Sequence, residues 1–256
     1  GISGNFIGDL MSAYSSFWPE TIRGLLVHSA EWSQAMWDKL GSDTSKTRIN
    51  EFAHMFGYGI PNLERAKYSA SNALTIIAQK DNFQVFMPKT DDVSGNRKKD
   101  NLSSILFIKL PWPKEVLQGE LRNQKIKLTI TLSYFIEPNP SERGYTSKYA
   151  YQSHNLRFDL QRPTETINQF ESRINNLIRD AETDIITSNS GGYNWVLGPN
   201  SRTHGSIHKD ILELTGAELA QAENIAVYSV TGWWKKAKIA SNTFSRFSLI
   251  IGIDAG

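Results

Sequence analysis

The segment from Lys125 to Tyr134 alternates strictly between large apolar side chains and polar ones. The even positions carry Ile126, Leu128, Ile130, Leu132 and Tyr134, and lysine, threonine and serine occupy all of the odd ones. Because successive side chains of a β-strand point to opposite faces, this pattern predicts a strand with one buried and one solvated face. Ile130 lies at the centre of the predicted buried face, so an aspartate there should be more damaging than one at Thr131.

Several shorter stretches repeat this pattern and are separated by clusters of Pro, Gly, Asn and Ser. They predict strands at Ile105–Leu110, Leu156–Leu160, Ile225–Val230 and Phe247–Ile253. Short strands in this arrangement indicate an antiparallel β-sandwich. Two predicted helices should cover it: one capped by Thr164 and ending near Asp184, and one from about Ile207 to Glu223.

The first 75 residues have a different, helical pattern. Pro19 suits the first turn of a helix, and Ile22, Leu25 and Leu26 fall on one of its faces. Another helix is predicted from Leu63 to about Ala73. We expect these helices to form the less stable part of the chain and to expose their apolar faces unless the sandwich covers them.

Charge balance and cysteine content restrict the kinds of molecule and metal that this chain can be expected to bind. The 256-residue chain has 28 basic and 26 acidic residues, a net charge of +2, and no cysteine. This balance gives no electrostatic reason to expect nucleic acid or an anionic membrane as a partner. Disulfides and thiolate zinc sites are excluded, which suits a cytoplasmic protein. No apolar run approaches the roughly 18 residues of a membrane-spanning helix.

His204, His208 and Asp210 have a spacing that could gather metal ligands on one face of a helix. No glutamate follows His204, as an H-E-x-x-H zinc motif requires, so a hydrogen-bonded cluster at a helix start is favoured. No EF-hand calcium loop occurs either. The sequence therefore predicts no metal or other cofactor, and calcium is left open without a motif that supports it.

Two further segments have compositions that occur at interaction surfaces. Glu137, Glu142 and Arg143 lie in a proline-rich loop that could contact another domain or a substrate, although an internal structural role is favoured. Trp233-Trp234-Lys235-Lys236 combines aromatic and basic residues, but adjacent aromatic residues at a strand end point to opposite faces. One tryptophan is therefore expected in the core. Arg97-Lys98-Lys99 belongs to an exposed loop over Asp91–Asp100.

Two motifs in the helical part resemble subtilisin-like serine proteases. WPETIRGLLVHSAEW, from Trp18 to Trp32, is similar to the helix that follows the catalytic-serine helix, and GYGIPNLERA, from Gly57, is similar to the turn into the last helix. The later segments TLSYFIEPNPSERG, GSIHKDI and VTGWWK resemble a bacterial group of large subtilases with a C-terminal β-sandwich. Some members of that group are encoded beside an AAA-type ATPase.

The resemblance also bears on Ser3. Gly1-Ile2-Ser3-Gly4 imitates the opening of the family motif G-T-S-x-A-x-P. The interval from Ser3 to Tyr14 is short of the family spacing by roughly six residues, nearly two helical turns. The resemblance thus places residue 1 after the family serine, with the aspartate and histidine further upstream. Ser3 is the only candidate nucleophile, and we expect no catalytic residue in this chain.

The sequence therefore predicts an α+β chain in two parts. Residues 1–75 are expected to be the C-terminal helical end of a subtilisin-like α/β domain, and residues 76–256 a jelly-roll-like antiparallel β-sandwich with two covering helices. The chain would be the C-terminal fragment of a serine endopeptidase, with the sandwich stabilising the protease or docking partners. Its partners would be the upstream protease domain and, by family resemblance, an AAA-type ATPase. The alternative is a non-catalytic protein-interaction module derived from a protease.

Overall fold

The computed structural model of this protein describes residues 1–71, 74–87, 102–140, 151–182, 192–236 and 243–255. Within these ranges the fold is mixed α and β, with antiparallel sheets that do not close into a barrel. The helices are α1 Ile2–Ala13, α2 Pro19–His28, α3 Gln34–Leu40, α4 Lys46–Phe56, α5 Leu63–Ser71, α6 Lys114–Gln118, α7 Ile167–Glu182, α8 Pro199–Arg202, α9 Gly216–Gln221 and α10 Trp233–Lys236. The strands are β1 Thr75–Gln84, β2 Phe86–Met87, β3 Leu102–Ser103, β4 Ile105–Lys109, β5 Lys125–Tyr134, β6 Asn155–Leu160, β7 Ile207–Thr215, β8 Asn224–Val230 and β9 Phe244–Ala255.

Two sheets organise the chain. A four-stranded sheet has the order β1-β9-β5-β7, and a three-stranded sheet has the order β4-β8-β6; β2 and β3 form a separate pair. In the larger sheet, Ile130 of β5 lies between Asp210 of β7 and Ile251 of β9. Because β5 is paired along both edges, its residues are fixed in register by two neighbouring strands.

Both sheets contribute to one hydrophobic core. It contains the even-numbered apolar residues of β5, together with Leu156 and Phe158 of β6 and Ile225 of β8. On the other side of the three-stranded sheet, α7 packs Phe170 and other apolar side chains against β8. The smaller sheet is therefore buried on both faces.

Most of the predicted strands are confirmed. Five predicted strands are present in the structure, as β4, β5, β6, β8 and β9. They contain, in that order, Ile105, Ile130, Phe158, Val227 and Leu249. The predicted loop over Asp91–Asp100 lies outside the described residues.

The predicted covering helix α7 is confirmed, but its cap is not Thr164. Thr166 Oγ1 accepts a hydrogen bond from the Gln169 backbone N–H, and the Gln169 side chain accepts one from the Thr166 N–H. This reciprocal pair satisfies two amides of the first turn. Thr164 instead adopts a positive φ of 68° in the preceding turn.

The helix predicted from Ile207 to Glu223 is wrong. Residues 207–215 form β7, and only Gly216–Gln221 is helical. The apolar positions at Leu212 and Leu214 follow a period of two, and pairing with β5 outweighed the longer helical pattern. Thr215 begins α9 through a capping box with Glu218, which explains why the strand ends there.

The predicted solvated face of β5 is also wrong. Thr131 and Ser133 are fully buried, since α2 lies across this face of the four-stranded sheet. Gly24 of α2 allows the close approach: a Cβ at this residue would lie 2.8 Å from Ile250 Cδ1. The apolar residues Ile22 and Leu25 are buried as well, in a small core with the following neighbours: Leu10, Ala66 and Ile250.

The packing of α2 on β5 generates a test by substitution. We expect Thr131→Asp to lower the free energy of unfolding by about 1–3 kcal/mol, because it replaces the hydroxyl that contacts His28 with a desolvated carboxylate, and the cross-strand Lys209 compensates this cost only in part. Thr129→Asp is the matched control, since Thr129 lies on the same face of the same strand but is partly exposed. Chemical denaturation measures both. Equal small losses would show that α2 does not cover this face in solution.

Candidate functional site

The best-defined polar site lies where α2 crosses the four-stranded sheet. The helix begins at Trp18, and Pro19 occupies its first position, where a missing N–H is harmless. The buried Glu20 accepts a hydrogen bond from Arg246 at 3.1 Å, and Thr21 donates one to the Gln79 side chain at 2.7 Å. The start of the helix is therefore tied to β9 and β1 by polar side chains.

Arg23 ties the middle of the helix to β5. Its guanidinium donates to Ser133 Oγ at 3.1 Å, to the Tyr134 carbonyl and to the Ser206 carbonyl at 2.6 Å. It also lies 4.4 Å from the centre of the Phe135 ring. Burial lowers the pKa of Arg23, while the surrounding acceptors satisfy its charged donors.

His28 closes the contact at the end of α2. Its Nδ1 lies 2.9 Å from Thr131 Oγ1, and the ring is buried between the helix and the sheet. Burial lowers the pKa of His28 to about 3, and the nearby Lys209 acts in the same direction. The imidazole is therefore neutral at physiological pH and serves as a hydrogen-bonding group in the interface.

Lys209 is the most unusual residue of the site. It is 3% exposed, and its Nζ donates to the carbonyls of Val27 at 3.2 Å, of His28 at 3.1 Å and of Ala30. A cation here is favoured by the partial negative charge of the C-terminal end of α2. Within the described residues, no carboxylate lies in ion-pair contact with it.

Two opposing influences set the protonation of Lys209. Burial lowers the pKa of Lys209 to about 7; Glu31 raises it, and the cations Lys127 and Arg65 lower it further. The three carbonyls that accept from Nζ favour the ammonium form and oppose the loss of its proton. The side chain is thus a charged cap for α2 whose charge is lost near neutral pH.

The GYG turn packs against the chain that leaves α2. Glu31 and Ile60 exchange backbone hydrogen bonds of 3.1 and 2.8 Å. Gly59 has φ of 96°, and a Cβ there would lie 2.2 Å from the Glu31 carbonyl oxygen, so only glycine fits. Tyr58 donates its hydroxyl to the Ile207 carbonyl at 3.0 Å. The two motifs that carry the family resemblance therefore contact each other and the edge of β7.

A pocket of about 290 Å³ lies beyond the end of α2, against β7. Its wall includes Ala30, Glu31, Trp32, Trp37, Tyr58, Lys127, Leu197, Lys209 and Glu213. The Trp32 and Trp37 rings meet edge to face with centroids 5.0 Å apart. Glu31 bonds both Lys127 and Arg65; burial raises the pKa of Glu31, but these two cations lower it to about 2.

Ser3 lies in the exposed first turn of α1. In the part of the chain that the structure describes, no hydrogen bond joins it to a histidine or a carboxylate. Nothing in this geometry activates its hydroxyl as a nucleophile. The expectation that this chain contains no catalytic residue stays a prediction.

His204, His208 and Asp210 do not begin a helix. His208 and Asp210 are buried residues of β7 and face the core, and His204 lies in the turn before the strand. His208 Nε2 bonds the Gly205 carbonyl at 3.1 Å. Asp210 pairs with the buried Arg202 at 3.2 Å and accepts from the backbone N–H groups of Leu197 and Gly198. The cluster holds the segment before β7 in place.

The Trp233–Lys236 segment is a helical turn and not a strand end, so the predicted strand geometry is wrong. Trp234 nevertheless packs, partly buried, against the core, as expected for one of the two tryptophans. Trp234 Nε1 donates to the Glu137 side chain at 3.1 Å, and Trp233 Nε1 donates to the Glu137 carbonyl. Trp234 also stacks on His154 at 5.0 Å. Glu137 thus has an internal bonding role, while Glu142, Arg143 and Arg97-Lys98-Lys99 lie outside the described residues.

Within the described ranges, no group of three or more His, Asp or Glu side chains could hold a metal ion. In the same ranges, no helix has the length and apolarity needed to cross a membrane. Comparisons with protein-family models, with curated proteins and with solved structures find no match to this chain.

Sequence reasoning missed Lys209 and Thr131 as parts of the site. Lys209 was passed over because its segment was interpreted as a helix, in which its side chain has no defined partner. A lysine at a central position of a strand, between His208 and Asp210, would have indicated a buried polar cluster. Thr131 was placed on a solvated face because α2 comes from a distant part of the sequence.

The lowered pKa of Lys209 predicts a pH dependence of stability. Between pH 7 and about 10.4 the unfolded chain holds a proton on this lysine that the folded chain has lost. The free energy of unfolding should therefore rise with pH in this window, by at most about 1.4 kcal/mol per pH unit from this residue. Urea unfolding of the wild type and of Lys209→Met at pH 7 and pH 9 isolates the effect.

Lys125→Met is the control, because Lys125 is exposed on the neighbouring strand. It should retain the wild-type difference between the two pH values, whereas Lys209→Met should lose it. If the wild type and Lys209→Met respond equally to pH, Lys209 keeps its proton in the folded protein.

Proposed function

We propose that this chain is the C-terminal, non-catalytic portion of a subtilisin-like serine endopeptidase and that its sheets brace the last helices of the catalytic domain. Peptide hydrolysis would belong to upstream residues of the parent protein, by serine acyl transfer. The parent would act in the cytoplasm, and an AAA-type ATPase is the partner suggested by the family resemblance. These assignments rest on the motifs at Trp18–Trp32 and Gly57–Asn62.

The proposal includes a jelly-roll arrangement of the two sheets. A jelly roll wraps eight strands so that the first pairs with the last, the second with the next to last, and so on inward. Leaving aside the short β2 and β3, β1 pairs with β9, β4 with β8, and β5 with β7. The strand β6 is followed by α7, at the position where an eight-stranded jelly roll has its fifth strand. This order of pairing and the shared core support a sandwich.

The observation that carries the proposal is the buried polar interface under α2. Three side chains join the helix to the four-stranded sheet: Arg23, His28 and Lys209. Their partners are backbone carbonyls or hydroxyls, so these hydrogen bonds fix where the helix lies on the sheet. An independently folded binding module would not require this interface between a protease-like helix and the sheet. A brace requires it, since the sheet can hold the helix only through contacts that resist displacement.

A non-catalytic interaction module is the second candidate. The observation that favours it is the pocket beyond α2, which combines two tryptophans with lysine and glutamate side chains near the surface. Such a combination is common where a protein recognises a small part of another molecule. In this case the parent would have lost catalysis and kept the site.

The parent protein, expressed with the coding sequence upstream of Gly1, tests the choice. We expect a fluorophosphonate probe to label one serine upstream of this chain, and to leave residues 1–256 unlabelled. Arg23→Met in the parent should reduce the rate of labelling about tenfold or more, because it releases α2 from Ser133, Tyr134 and Ser206. Arg122→Met is the control, since Arg122 lies in an exposed turn.

Near-ultraviolet circular dichroism of both variants separates loss of bracing from global unfolding. Folded Arg23→Met protein with the labelling rate of Arg122→Met would contradict the brace. A parent with no labelled serine would contradict the protease and favour the interaction module. Labelling at Ser3 that disappears in Ser3→Ala would make Ser3 the nucleophile.

A further inference from the structure

The pocket beyond α2 has the size of a site for one small molecule or one terminal residue. Its volume of about 290 Å³ lies at the lower end of the range of about 300–1,000 Å³ that is usual for ligand sites. A group of about the size of one aromatic amino acid fits a volume of this size.

The apolar part of the pocket is built from aromatic rings. Trp32 packs against Trp37 on one side and Phe52 on the other, with ring centroids 5.0 and 6.0 Å apart. Trp37 keeps 42% of its surface exposed, so its ring is available to a ligand. The Trp32 Nε1 group is already bonded to the Gly57 carbonyl, which holds this ring in place. A second aromatic or large apolar group would pack against this pair.

The cations in and beside the pocket outnumber the carboxylates that line it. The carboxylate of Glu31 is shared between Arg65 and Lys127, and Asp210 is neutralised by Arg202. Glu213 also lines the pocket; it is 66% exposed and lies 3.9 Å from Lys125. After these pairs are made, Lys209 and one of the two cations on Glu31 have no carboxylate to balance them within the described residues.

We propose that this pocket binds a carboxylate that carries an aromatic or large apolar group, with the carboxylate at Lys127 and the apolar group on Trp37. In the described part of the chain Lys127 Nζ donates to Glu31, and because an ammonium has three N–H groups, two remain for a ligand. Lys209 also lines the pocket and adds positive charge when it is protonated. Burial lowers the pKa of Lys209, and a bound carboxylate would oppose that shift.

The same chemistry can come from a free aromatic acid or from the C-terminal residue of a protein chain. Isothermal titration calorimetry on the full chain distinguishes carboxylate recognition from apolar contact. N-acetyl-tryptophan should bind at least tenfold more tightly than N-acetyl-tryptophan amide. A pentapeptide that ends in tryptophan is compared with its C-terminally amidated form. Binding of the free peptide indicates a chain terminus, and binding of N-acetyl-tryptophan alone indicates a free acid; either supports the proposal.

Variants then assign the contacts. Lys127→Met and Trp37→Ala should each weaken binding of N-acetyl-tryptophan about tenfold or more. Lys125→Met is the matched control, because Lys125 lies two residues away on β5 and does not line the pocket, and it should bind as the wild type does. Equal affinity for the acid and the amide, equal affinity of Lys127→Met and Lys125→Met, or no binding of any acid at millimolar concentration would overturn the proposal.

Discussion

Burial of both faces of the four-stranded sheet is the constraint on which the rest of this structure depends. One face of β5 carries only apolar side chains and enters the core, but the other carries Thr131 and Ser133 and lies under α2. A helix that covers hydroxyl groups must bring them hydrogen-bonding partners, because an unpaired buried polar group is costly. Arg23 and His28 of α2 supply those partners, and this explains why a buried helix contains them.

The same constraint explains Lys209. The end of α2 leaves carbonyl groups that water cannot reach, since the helix terminates against the sheet. A lysine from β7 satisfies them, and its charge interacts favourably with the helix end. The cost is a buried ammonium without a carboxylate, which lowers its pKa to about 7. Lys209 therefore stabilises the contact between α2 and β7. It also brings positive charge to the wall of the proposed ligand pocket when it is protonated.

Local sequence patterns are sufficient to predict where most strands lie, but not which elements pack against them. The period of two in β5 predicted its bounds, because pleating alone sets which side chains share a face. It could not predict that both faces are covered, since α2 lies more than one hundred residues earlier in the chain. The segment at Ile207–Thr215 was assigned to a helix because its apolar residues fit both periods over a short window, and only pairing with β5 decides between them.

The site was harder to predict than the fold for the same reason. The motifs at Trp18–Trp32 and Gly57–Asn62 could be recognised individually, but their contact through Glu31 and Ile60 depends on tertiary packing. Lys209 lies in the segment GSIHKDI, and nothing within that segment shows that its partners are the carbonyls of α2. A buried polar site assembled from distant segments leaves little signal in any one of them.

The central claim is that α2 and the four-stranded sheet unfold as one unit. Native-state hydrogen exchange at increasing denaturant measures this directly, by comparing the amides of Leu25 and Leu26 in α2 with those of Ile130 and Leu132 in β5. We expect the same opening free energy and the same denaturant dependence for both sets, because the buried polar contacts join them. Exchange of the α2 amides at an opening free energy lower by about 2 kcal/mol or more, with the β5 amides still protected, would contradict it.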